Sequence, residues 1–158
     1  MMRETARNVA LLAPIPDIYM SEGQALCQSQ GKVAFGSRAW EVFRELDALR
    51  HGLPVDVYIY RSHANPPSPL EASWRAVYIG HVESNGGAHP DGMTFRPPST
   101  NIDPNDNQGW WAVFWELEDM SEISIADRIR MADCTGYGKR GSYKRNFIPE
   151  GPLLVEHP

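Results

Sequence analysis

Val55-Asp56-Val57-Tyr58-Ile59-Tyr60-Arg61-Ser62, followed by Trp74-Arg75-Ala76-Val77-Tyr78-Ile79-Gly80-His81-Val82-Glu83, decides how this chain reads. In Val55 to Tyr60 aliphatic residues alternate with Asp and Tyr, the period-two pattern of a strand with two different faces. The second run is rich in β-formers and predicts a strand over Trp74–Val82. Between them, Asn65-Pro66-Pro67-Ser68-Pro69 excludes ladder pairing, because proline lacks an N–H and has a fixed φ. A third strand is expected over Trp110–Leu117. These runs hold four of the five tryptophans, so the sheet they build is both core and candidate recognition surface.

Working outward, Val9 to Leu12 reads as a buried first strand stopped by Pro14 and Pro16, and Val33 to Phe35 as a short strand closed by Gly36. A short helix is expected around Glu22 to Cys27. Ser37 reads as the N-cap of the best helix, Ser37–Leu49, whose apolar stripe includes Trp40 and Phe43 as core residues, with Gly52 beyond its end. Ser84 to Gln108 shows no convincing element, and a loop of that length in a compact domain is often functional. Ser124-Ile125-Ala126-Asp127 resembles a capping box with Asp in place of Glu and predicts a short helix to about Met131. A last strand falls at Leu153 to Val155. The expectation is an α+β domain over residues 1–158: a small, mostly antiparallel pseudo-barrel with two or three short helices.

Composition narrows the function classes. The 158 residues are 42% hydrophobic and 22% charged, ordinary for a soluble globular protein. No apolar run reaches a membrane span, and Met1 to Ala10 lacks a signal segment, so no membrane association and a cytoplasmic location are expected. Two cysteines, Cys27 and Cys134, make neither a disulfide framework nor a zinc cluster. The polar residues of the long loop match no ligand spacing, so neither metal nor cofactor is expected. No nucleophile motif is present, and no catalytic residue is assigned. Net charge is −5, yet residues 128 to 145 carry Arg128, Arg130, Lys139, Arg140, Lys144 and Arg145 against Asp133 alone. Such a patch on an acidic protein orients a polyanion. Base stacking on aromatic rings is sequence-tolerant. Since neighbours on a strand face opposite ways, Trp110 and Trp111 cannot both enter the core.

The order helix, Val55–Ser62 strand, loop, Trp74–Glu83 strand, long insertion, tryptophan-rich strand and short helix resembles the PUA-like superfamily, its EVE and ASCH branches most of all. The residues that carry the resemblance are Gly52, Asp56 (displaced), Val57, Tyr60, Ser62, Gly80 and Val82, with Gly31-Lys32-Val33 and Arg38 similar to an ASCH G-K-x-x-x-x-R segment. Two departures stand out. Leu12-Ala13-Pro14 replaces the K-S-E-P of many EVE domains, and of the Lys-Thr-Glu set of ASCH-type amidohydrolases only Lys32 remains. The resemblance implies a pseudo-barrel whose aromatic pocket takes a base, a modified one included, from RNA or DNA. The implied site comprises Arg61 and Ser62, a tryptophan wall of Trp74 or Trp111, and phosphate contacts from Lys139, Arg140, Tyr143, Lys144 and Arg145. Two alternatives stay open: a small hydrolase or nuclease using Lys32, Glu83 or His63, and a protein-interaction domain presenting the Pro-rich loop and the acidic stretch from Glu116 to Asp127.

Overall fold

The computed structural model describes residues 3–139, 141–144 and 147–158. Its main sheet has six strands: β1 (Ala10–Pro16), β2 (Val33–Ser37), β3 (Val55–Ser62), β5 (Trp74–Glu83), β6 (Val113–Glu122) and β8 (Leu153–Val155). Their order is β2-β6-β5-β3-β1-β8, and every pairing is antiparallel except β1 with β3. The sheet curls into a half-barrel. Two register shifts between β5 and β6, at Arg75/Val77 and Tyr78/Gly80, supply local twist of the kind that bends a sheet. A two-stranded ladder of β4 (Glu71–Ala72) and β7 (Ile129–Arg130) stands apart.

Alternation along the strands sorts the core. Val55, Val57 and Ile59 of β3 join Trp74, Ala76 and Tyr78 of β5 in the main cluster, while Tyr60 faces a second one with Ala10, Leu12, Met131 and Val155. Strand β1 is covered on both faces, which explains its unbroken apolar run. It also runs through the prolines expected to stop it. Beyond Leu12 it has no β8 partner, and residues two apart turn their amides the same way, so Pro14 and Pro16 remove N–H groups from an edge that has no ladder to lose.

Helix α1 (Met20–Gln30) ends on Gly31 in the left-handed region (φ 87°), the conformation that helix C-termini reserve for glycine. Helix α2 (Trp40–Leu49) begins later than its expected cap. Ser37 closes β2 instead, and its Oγ accepts the Ala39 N–H at 3.0 Å. Phe43 and Leu46 are buried against the sheet, whereas Trp40 is 40% exposed, which corrects its assignment to the core. The expected helix from Ser124 is only a 3₁₀ turn over Ile125–Asp127, followed by β7. The Ser124 hydroxyl donates to Asp127 Oδ2 at 2.7 Å; the shorter Asp is held by the hydroxyl, whereas the Glu of a capping box reaches back to the cap's N–H. The long loop carries 3₁₀ turns at Pro98–Ile102 and Pro104–Asn107. Among the described residues no helix is long and apolar enough to cross a membrane.

Candidate functional site

Where β1 loses its outer partner, the curled sheet leaves an opening between β1 and β3 on one side and β2 and β6 on the other. A cavity of about 1010 Å³ occupies it, with Pro14 to Pro16, Phe35 to Ser37, and Tyr60, Ser62 and His63 among its walls. Trp110 and Trp111 close it from the end of the long loop. Both precede β6, which starts at Val113, so the strand expected from Trp110 is shorter and neither ring is bound by strand alternation. Trp115, on the strand proper, is a core residue that reaches the cavity floor.

Glycine at position 36 admits the Trp111 ring. A Cβ there would lie 2.3 Å from Trp111 Cδ1, so any side chain collides with the indole. Ala34, two residues earlier, donates its N–H to Phe95 O (2.8 Å) and accepts from Arg96 Nη1 at its carbonyl (2.9 Å). By strand parity Gly36 turns its own N–H and C=O to the same outer edge, while Trp111 covers the sheet face above it. The Trp111 Nε1–H donates to Asp106 Oδ1 at 3.2 Å. Asp106 also takes a long contact from the Tyr19 hydroxyl (3.4 Å) and lies 3.6 Å from Arg96 Nη2. Burial, and then the Asp106 charge, push the Tyr19 hydroxyl up from its ordinary value.

Arg96 organises this wall from behind. It is among the most deeply buried side chains, and its guanidinium donates to Asn107 Oδ1 (3.0 Å), Ala34 O and Asp106 O (3.0 Å) while standing 4.9 Å from the Phe114 ring centroid. Burial pulls it down to about 10, which still leaves it charged at neutral pH. In front, Arg38 lays its guanidinium 4.7 Å from the Trp110 centroid, and the two indoles meet edge to face at 6.3 Å.

Of the residues singled out from sequence, Ser62 and Trp111 line this cavity. Trp74 is buried in the main core beside Ala76 and Tyr78. Arg61 points elsewhere: its Nη1 donates to Asp17 Oδ1 at 3.2 Å, and its buried Nε has no partner among the described residues. Tyr143 stacks on Phe147 with centroids 4.3 Å apart, its hydroxyl pushed up by burial. With Lys144 it borders a second cavity of about 760 Å³ that shares Ile148, Glu150 and Gly151 with the first. Lys139 lies in the same segment, its N–H on Gly136 O at 2.9 Å. Arg140 and Arg145 lie outside the described residues.

The residues named for acid–base work do not converge. Lys32 pairs with Glu116 at 3.1 Å, and Glu116 also takes the Nε2–H of buried His89 at 3.0 Å, whose Nδ1 accepts the Asp91 N–H. His63 is on the cavity, Glu83 is exposed at the end of β5, and no hydrogen bond among the described residues joins either of them to Lys32. Among the described residues no group of three or more His, Cys, Asp or Glu side chains is placed to hold a metal ion. In the sequence Gly36 reads only as the end of a short strand, Arg96 and Asp106 only as polar loop residues without metal-ligand spacing, and nothing singles out Tyr19. Only the adjacency of Trp110 to Trp111, and Arg38 in its glycine–lysine segment, signalled this wall beforehand. Comparison with protein-family models, with curated proteins and with solved structures finds no match to this chain.

Proposed function

We propose that this chain is a nucleic-acid-binding module of PUA-like type whose cavity receives a single base, plain or modified. The observation that carries the reading is the cavity itself. Two indoles and the Gly36 backbone meet in a space large enough for one nucleotide, at the open edge of a curled sheet. Indole faces give a base stacking at roughly 1–3 kcal/mol, and a strand-edge N–H and C=O offer a donor and an acceptor to the edge of the base. Tyr143 and Lys144 of the basic segment border the same wall, and that segment, with Lys139, supplies phosphate contacts that fix position without reading sequence.

The test is fluorescence anisotropy with labelled single- and double-stranded oligonucleotides, unmodified and base-modified, over a range of salt. The protein is expected to bind, with affinity falling as salt rises. Trp111→Ala, its melting temperature checked, is expected to lose roughly 1–3 kcal/mol, the value of one stack. Absence of binding at low salt would turn the reading to a protein-interaction domain.

A further inference from the structure

Cations stand near the cavity on two segments: Arg38 lines it directly, and Lys144 of the basic run borders the second cavity, which shares its wall at Ile148, Glu150 and Gly151. Arg38, just after β2, borders the cavity and lies on Trp110. Two residues later α2 opens with Trp40, and Arg44, one helical turn on, places its guanidinium 4.8 Å from that indole centroid. Both tryptophans are surface residues, Trp110 48% and Trp40 40% exposed. Arg3, Arg50, Arg61, Arg96, Arg128 and Arg130 each pair with a carboxylate, but Arg38 and Arg44 have none among the described residues. A guanidinium lying over an indole has one face covered and its in-plane N–H fork free, and it is weakly hydrated. That combination suits a phosphate. The indole also pre-orders a long side chain that would otherwise lose rotamer freedom on binding.

We infer that the ligand of the cavity is an internal nucleotide of a single-stranded chain, its backbone held on the β2–α2 side by Arg38 and Arg44 and on the other by the Lys144 segment. This rests on the base-binding reading above and specifies its substrate class. A free nucleoside brings no phosphate to either rim, and a terminal nucleotide brings phosphate to one. Only a strand continuing past the inserted base in both directions engages Arg38 and Arg44 together with Lys144, which adjoins the shared wall at Ile148 to Gly151. A paired base would have to leave its duplex first, so an unpaired strand is the cheaper partner.

Arg44→Gln tests this, because Arg44 is exposed and lies outside the cavity walls. The probes are labelled single-stranded 12-mers of mixed sequence, as DNA and as RNA, and the free nucleosides followed by quenching of tryptophan emission. Arg44→Gln and Lys144→Gln are each expected to reduce the slope of log affinity against log salt by about 0.7, the value of one phosphate contact to a single strand. The two losses add in the double variant, while nucleoside quenching stays as in the unaltered protein. The inference is overturned if Arg44→Gln keeps the full slope, if nucleosides bind as tightly as the 12-mers, or if anionic phospholipid vesicles compete better than the oligonucleotides. Nucleoside quenching without any gain for the 12-mers overturns this inference and leaves the base cavity standing. Failure of both probes to bind removes the base-binding reading and this inference with it.

Discussion

Gly36 and Trp111 form the contact on which the cavity depends. The Gly36 backbone is not in the left-handed region, so alanine is acceptable there in conformation and forbidden only by space: its Cβ would meet Trp111 Cδ1, Cγ and Nε1 at 2.3–2.5 Å. Gly36→Ala is therefore expected to push the indole off β2 and break its bond to Asp106. The cost should be roughly 1–3 kcal/mol of stability, the usual range for overpacking, with a shift in tryptophan emission. Unchanged melting temperature and emission would show that the ring does not rest on the strand. Trp111 drew attention in the sequence because strand neighbours face opposite ways, but both tryptophans precede β6, so that alternation does not set where either ring lies. Arg96 was not legible. Its three acceptors come from β2 and from residues ten and eleven positions on, and nothing local distinguishes a buried arginine from any other in a polar loop. Trp74 went to the core by parity with Ala76 and Tyr78, a pattern present in the sequence but equally compatible with the opposite face.

At the scale of elements, α2 and β5 are joined by packing and by a polar cluster. Phe43 stacks on Tyr78 with centroids 5.9 Å apart, and the Tyr78 hydroxyl donates to Asp47 Oδ1 at 2.9 Å. Arg50 Nε (2.8 Å) and His81 Nδ1 (2.8 Å) converge on the same carboxylate. Burial first, then the Asp47 charge, hold the Tyr78 phenol far above its ordinary 10.0. Once unfolded, the phenol releases its proton near that ordinary value, so above about pH 10 the unfolded state binds fewer protons than the folded one. Stability from Tyr78 is thus complete below about pH 10 and declines as pH rises further. Tyr78→Phe is expected to be less stable at pH 8, by about 1 kcal/mol for the lost hydrogen bond, and to show a shallower decline from pH 10 to 11. Urea melts at several pH values check it; parallel curves for both proteins would count against the coupling. The strands at Val55 and Trp74 and the body of α2 were legible because their apolar periods are long and clean. The ends were not. Ser37 could cap a helix or close a strand, and pairing with Val113 of β6 made it the latter.

Over the whole molecule, β3 gathers both ends of the described chain. Asp56, read from sequence as the polar half of an alternating strand, is buried; Thr5 Oγ1 donates to its Oδ2 at 2.8 Å and His157 Nε2 lies 2.7 Å from the same oxygen. Ala6 N–H on Pro54 O (2.8 Å) and Glu156 N–H on Thr135 O (2.8 Å) flank that junction. Strand β8 runs from here back along Ala10 to Leu12, and the residues just before it, Ile148 to Pro152, form the cavity wall nearest Lys144. The carboxylate thus secures the strand that carries this cavity wall, and it sits on the opposite sheet face from Val55 and Val57. Asp56→Ala would leave a buried hydroxyl and an imidazole without their acceptor, at a cost of roughly 1–3 kcal/mol each if no water replaces it. Thr5→Val should cost about 1 kcal/mol in the unaltered protein and much less in the Asp56→Ala background, because both changes break one bond. Urea midpoints at constant m-value measure the cycle. Full additivity of the two changes would show that Thr5 and Asp56 act independently, and the two chain ends would then need another explanation for meeting on β3.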